Sequence, residues 1–138
     1  CKGDTMTDKE LCRMAESAAE AAYNPYSRFA VGAALLCSDG SVYTGCNIEN
    51  ASFTPTVCAE RVAVFKAVSD GKRDFVKIAI AGGKNGRLDG ICPPCGVCRQ
   101  VLSEFCKCDF KVLLAFCGGH KIYTLGELLP VSFEFAGE

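Results

Sequence analysis

No segment of the 138 residues approaches the roughly 20 consecutive apolar residues that a membrane span requires, so no membrane partner is expected. An excess of one charge is missing too. The 15 Lys and Arg nearly balance the 16 Asp and Glu, leaving a net charge of −1. Without a basic strip there is little to hold a phosphate backbone, which argues against a nucleic-acid partner. Internal repeats, low-complexity tracts and Pro/Ser-rich linkers are absent as well. One domain covering residues 1–138 is therefore expected, with residues 1–6 as a frayed end.

Cysteine, by contrast, is abundant, at 11 residues. The number is odd, the first residues show no signal-peptide pattern, and a chain of this size needs no disulfide scaffold. These features point to free or metal-bound thiols in a reducing compartment, and a cytoplasmic location is expected. Cys12, Cys37, Cys46 and Cys117 lie in apolar segments, where a thiol is expected to serve as a small buried hydrophobe.

Thr7 and Glu10 have the spacing of a capping box, and Leu11, Met14, Ala15, Ala18, Ala19 and Ala22 recur at helical spacing, which predicts a first helix near 8–23. Asn24-Pro25 should end it. FAVGAALLC, the Ser38-Asp39-Gly40 turn and SVYTGCNI predict a β-hairpin over 29–37 and 41–48. A second helix is expected over 57–69, a buried strand over 75–82 and a third helix over 95–106 that enters after Pro93-Pro94. FKVLLAFC predicts another buried strand, Gly118-Gly119 a turn, and KIYT a short last strand. The order α-β-β-α-β-α-β-β implies an α/β fold, a mixed sheet with helices packed on its faces.

The segment CPPCGVCRQ places Cys95 and Cys98 three apart at a helix start, where their side chains share a face and can occupy two corners of a tetrahedron. Cys58, in TVCAERVA, is the natural third corner. Both clusters sit at expected helix N-termini, whose free N–H groups and dipole stabilise thiolates. A structural zinc site needs a fourth protein ligand, and Cys92, Cys106, Cys108 and His120 are available for that position; a catalytic site leaves it open to water. Cys92 is near enough in sequence to close the site. His120, after two glycines, is expected in a solvated turn. Glu60, two residues after Cys58, favours the open site, because it can reach a bound water without ligating the metal. Arg61 lies on the same helical face as Cys58 and can offset the negative charge that three thiolates leave on a zinc ion.

With Cys58-Ala59-Glu60 and Pro94-Cys95-Gly96-Val97-Cys98 in place, the chain resembles the zinc-dependent nucleoside deaminases, whose signature pairs a ligand and nearby Glu with P-C-x-x-C. The likeness is to the small, homotetrameric type of cytidine deaminase. It extends over NPYSRFAVGAAL, GCNIENAS, CGVCRQVLSEF and ELLPVSF. The resemblance implies a single-domain, three-layer α/β/α fold with a mixed five-stranded sheet and helices on both faces. It also implies one Zn²⁺ per chain on Cys58, Cys95 and Cys98, with Glu60 as proton shuttle and Arg61 as partner of the ligand sulfurs.

For the substrate, the resemblance places Phe29 against the pyrimidine, Asn47 and Glu49 on the ribose 3′-hydroxyl, and the Ala59 N–H at the base carbonyl. Ala51 and Phe53 fall where members of the family reach a neighbouring subunit's nucleoside, and Phe133 where an aromatic covers the base. Phe53 lacks the hydroxyl of the tyrosine found in some members. The implied activity is hydrolytic deamination of a small-molecule nucleoside, cytidine or 2′-deoxycytidine, in pyrimidine salvage.

Overall fold

The capping box forms as expected. The Thr7 side chain accepts from the Glu10 N–H, and the Glu10 carboxylate accepts from the Thr7 N–H at 3.0 Å, starting helix α1 over Asp8–Ala18. The computed structural model describes residues 6–135, so most of the expected frayed end lies outside the described residues. Helix α1 is shorter than its periodicity predicts. A 3₁₀ turn over Ala19–Ala21 closes it, and Tyr23 is then drawn into a bridge with Ile48.

Strands β1 (Phe29–Cys37) and β2 (Val42–Cys46) form the hairpin. Helix α2 (Ala59–Ser69) leads to β3 (Phe75–Lys84), and α3 (Gly96–Phe105) crosses from β3 to the parallel strand β4 (Lys111–Phe116). Strand β5 (Gly119–Thr124) returns antiparallel, followed by a four-residue helix, α4 (Leu125–Leu128). The sheet order is β2-β1-β3-β4-β5, and the β3/β4 pair is the parallel one. The expected five-stranded mixed sheet is therefore present.

Alternation along the strands divides the core between the two faces. Leu11, Cys12 and Ala15 of α1 pack with Ala34, Leu36, Ala79, Ala81 and Leu113 on one face. Ala63, Val64 and Ala67 of α2, Leu102 of α3 and Leu125 of α4 pack with Leu35, Ile78, Ile80, Val112 and Leu114 on the other. Adjacent residues of a strand point to opposite faces, which is why Leu35 and Leu36 belong to different clusters. The three-layer arrangement follows from this partition.

The hairpin holds α2 unusually close. A Cβ at Gly45 would stand 2.4 Å from the Ala59 carbonyl oxygen and 2.6 Å from the Ala63 nitrogen, so only glycine lets the first turn of α2 rest on β2. The small residues Ala59, Ala63 and Ala67 on the buried side of α2 continue that close approach.

Several local expectations are corrected. Cys12 and Cys37 are buried, but Cys46 is half-buried and Cys117 is exposed, because Cys117 falls in the β4–β5 turn rather than inside a strand. His120 is not in a turn; it pairs with Ala115 in β5 and lies 3.9 Å from the Asp8 carboxylate. Helix α4 was not expected, although Thr124 and Glu127 supply its capping box.

Candidate metal centre and active site

Helices α2 and α3 pack on the same sheet face and bring their N-termini together, so their N-cap residues, Cys58 and Cys95, meet. The Sγ atoms of Cys58 and Cys95 are 3.6 Å apart, those of Cys95 and Cys98 are 3.5 Å apart, and all three lie within 4.8 Å of one another. Zinc–sulfur bonds of 2.3 Å in a tetrahedron require sulfurs about 3.8 Å apart. The cluster fits a zinc ion without rearrangement of the backbone. Among the described residues it is made of these three cysteines alone, and none of Cys92, Cys106, Cys108 or His120 joins it.

Cys92 comes nearest to being a fourth ligand. Its side chain lies against β3, where a Cβ at Gly82 would stand 2.9 Å from the Cys92 Sγ. Burial pushes its thiol up to about 12, with the nearby Glu60 and Cys58 charges adding to the effect. Its sulfur is not among the three that lie within 4.8 Å of one another, and that separation leaves it outside the cluster.

The three sulfurs are electrostatically unequal. Donation from Cys98 lowers the Cys58 thiol below its ordinary value, and the Arg61 guanidinium and Cys95 assist against the opposing effect of burial. Cys98 is raised in return, by the same hydrogen bond and by its own burial. Arg61 donates from Nη2 to the Cys58 Sγ at 3.5 Å, as its helical spacing predicts. That bond to Cys58 also raises the pKa of Arg61.

Glu60 is 3% exposed, and its Oε1 is buried with no hydrogen-bond partner. Burial raises its carboxyl to about 7, and the Cys58 thiolate adds to the rise. A buried carboxyl without a partner costs roughly 1–3 kcal/mol or more, so its retention calls for a group that completes it. A polar ligand between the sulfurs and the carboxyl would do so.

Beyond Cys46 the hairpin does not continue as a regular strand. Instead the Asn47 side chain extends the ladder: its Oδ1 accepts from the Val31 N–H at 2.8 Å and its Nδ2 donates to the Phe29 carbonyl at 2.8 Å. Ile48 exchanges two backbone bonds with Val57, each 3.0 Å, which carries residues 47–49 alongside the start of α2. Glu49 accepts from the N–H groups of Tyr26 and Ser27 and from the Ser27 hydroxyl, holding the 24–29 loop. Asn47 and Glu49 each brace the segment that carries Phe29, a residue 38% exposed.

The remaining expected residues are one at the start of α2 and three on exposed segments. Ala59 is fully buried in the first turn of α2, whose N-cap side chain makes no capping bond. Ala51 and Phe53 sit on the exposed loop after β2, where Phe53 adopts φ of 68° and stacks edge-to-face on Tyr26. Phe133 is 72% exposed on the C-terminal segment, and its carbonyl accepts from Gln100 of α3 at 3.5 Å. Sequence reasoning missed Arg99, which bonds the carbonyls of Pro94 and Leu128. Its position directly after Cys98 was a signal, but its backbone partners left none.

Residues 5–114 match the model of the cytidine and deoxycytidylate deaminase zinc-binding region. The chain is similar to a cytidine deaminase of Halalkalibacterium halodurans, 51% identical over 93% of this chain and 95% of that one. It is also similar to a cytidine deaminase of Sporosarcina psychrophila, 46% identical over 94% and 93% of the two chains. Among solved structures, the cytidine deaminase of Burkholderia pseudomallei superposes with a TM-score of 0.86 at 44% identity, covering 93% of this chain and all of that one. The chain belongs to the cytidine and deoxycytidylate deaminase zinc-binding family.

Proposed function

We propose that this member of the family catalyses hydrolytic deamination of cytidine and 2′-deoxycytidine, consuming water and releasing ammonia with uridine or 2′-deoxyuridine. The observation that carries the reading is Glu60, a buried carboxyl with an unpartnered oxygen, two residues from one of three clustered sulfurs. Cys58, Cys95 and Cys98 would hold one zinc ion per chain. When bound, zinc supplies the Lewis acidity that makes water acidic near neutral pH.

Glu60 moves the protons. As the water oxygen bonds to C4, the Glu60 carboxylate takes one water proton and delivers it to N3 of the base. It then takes the remaining proton from the hydroxyl on C4 and gives it to the amine, so that the C4–N bond breaks, ammonia leaves and the carbonyl forms. One carboxyl serves both directions because donor and acceptor stay within its reach, and a pKa raised to about 7 suits it to accept and release protons near neutrality. Arg61 draws charge from the Cys58 sulfur, which keeps three thiolates from suppressing ionisation of the water.

Phe29 packs on the pyrimidine and the Ala59 N–H meets its carbonyl. Asn47 and Glu49 keep hydrogen-bonding capacity beyond their loop contacts, because each carboxylate oxygen has two lone pairs and the amide nitrogen a second proton. They bond the ribose 3′-hydroxyl. The exposed Tyr23, Tyr26, Phe29, Ile48, Phe53 and Phe133 suit burial against other copies of the chain, consistent with a homotetramer in which Ala51, Phe53 and Phe133 complete sites. The setting is cytoplasmic pyrimidine salvage.

The test is incubation of the zinc-loaded protein with cytidine, 2′-deoxycytidine, dCMP and a cytosine-bearing antibiotic, following loss of the cytosine absorbance and release of ammonia. Turnover of the two nucleosides is expected. Turnover of dCMP or the antibiotic with the nucleosides inert would refute the assignment.

A further inference from the structure

Arg99 lies one residue beyond Cys98 on α3, and the reaction as written gives it no task. Its Nε donates to the Pro94 carbonyl at 2.8 Å and its Nη1 to the Leu128 carbonyl at 2.6 Å. Pro94 is fully buried and immediately precedes Cys95, the N-cap of α3. Leu128 is the last residue of α4, where helix geometry leaves carbonyls without intrahelical partners. The next residue of α3, Gln100, donates to the Phe133 carbonyl. Consecutive side chains of α3 thus hold the C-terminal segment at two points, and one of them also holds the approach to a ligand cysteine.

A guanidinium suits this arrangement because its planar fork donates from separate nitrogens in fixed directions. A lysine ammonium is a single point that cannot reproduce both bonds in the same geometry. We propose that Arg99 is a positioning residue that locks the Pro94–Cys95 approach and the Phe133-bearing segment into one arrangement. The placement of a metal ligand and of an aromatic wall for the base are thereby set together. The second half of this inference rests on the reading of Phe133 given above.

The test makes Arg99→Lys and Arg99→Gln alone and together with Phe133→Ala in the zinc-loaded protein. It measures kcat and KM for cytidine, hydrogen exchange of residues 129–135, and zinc transfer to a chromogenic chelator. Each single Arg99 variant is expected to lose about tenfold in kcat/KM, mainly through KM, but less than about threefold in the Phe133→Ala background, because contacts that act as a unit are not additive. Exchange over 129–135 and zinc transfer should both quicken, and Lys should not restore the native values. If Arg99→Gln fails to fold, Arg99→Lys, which keeps the charge and the aliphatic stem, carries the same comparison. Additive losses in kcat/KM, or unchanged exchange over 129–135 and unchanged zinc transfer, would overturn the proposal. A wild-type protein inert toward cytidine would instead sink the functional reading, and exchange and zinc transfer would still decide the role of Arg99.

Discussion

Replacing Glu60 by Gln removes one exchangeable proton site and almost nothing else. The two side chains have nearly the same shape, and the position is 3% exposed, so solvent offers no substitute acid. General acid–base catalysis contributes about 10²–10⁴-fold, and a carboxyl that acts at both the ring nitrogen and the leaving amine should sit at or above the upper end of that range. The expected kcat is therefore at least about 10³-fold below the native value. Zinc content should be unchanged, because Glu60 is not one of the three clustered cysteines proposed to hold the ion.

Stability provides the control. Burial raises the Glu60 carboxyl from 4.5 to about 7, so the native state binds its proton more tightly than the unfolded chain does. The metal-free wild type should consequently lose stability as pH rises through that window, by roughly 3 kcal/mol at most. The Gln variant should lack this decline: equal to wild type below about pH 4.5 and more stable above about pH 7. Stopped assays of cytidine turnover, zinc analysis and urea melts at several pH values supply the data. Turnover within tenfold of native in a zinc-replete Gln variant would refute the proton-shuttle argument.

Three further expectations can be checked directly. Cys92→Ser should leave zinc near one per chain, whereas Cys58→Ser, Cys95→Ser or Cys98→Ser should lower it; equal loss at all four, by elemental analysis, would indicate a closed structural site. Gly45→Ala should destabilise the fold by about 1–3 kcal/mol in urea melts, because the new methyl meets backbone atoms of α2 that cannot yield as a side chain would; an unchanged midpoint would refute the close-packing argument. Chains carrying Glu60→Gln, mixed and reassembled with chains carrying Phe133→Ala, should regain part of the lost activity if Phe133 completes a neighbour's site; no recovery in verified hybrids, or a fully active monomer by sedimentation, would exclude that arrangement.

The parts of this molecule legible in its sequence are those set by short-range rules. The Thr7/Glu10 box, the apolar runs of β1, β3 and β4, and the cysteine spacing around α3 each depend on residues within one or two turns of each other. The parts that were not legible depend on where the chain is taken next. Helix α1 gives way early because Tyr23 must reach Ile48. Cys117 has apolar neighbours yet is exposed, because the tight β4–β5 turn consumes it. Helix α4 carried its own capping signal, but four residues are too few for a periodicity to register.

The site divides along the same line. Cys95, Cys98 and Arg61 could be placed from helical spacing alone, and Cys58 could be nominated because thiolates favour helix N-termini. That the two N-termini meet is a property of the sheet: β1 and β2 hold α2 through Gly45 and the Ile48–Val57 bridge, while the β3–α3–β4 crossover carries α3 to the same face. Asn47 and Glu49 show the limit most clearly. Their types suggest solvated loop residues or sugar ligands, and in the structure they first hold the backbone that presents Phe29. A residue that braces the pocket wall with one lone pair can meet the ligand with another, so the bracing and binding readings need not compete. Substitution at Asn47 or Glu49 should thus disturb both loop order and nucleoside affinity, and the order of the 24–29 loop without ligand separates the two contributions.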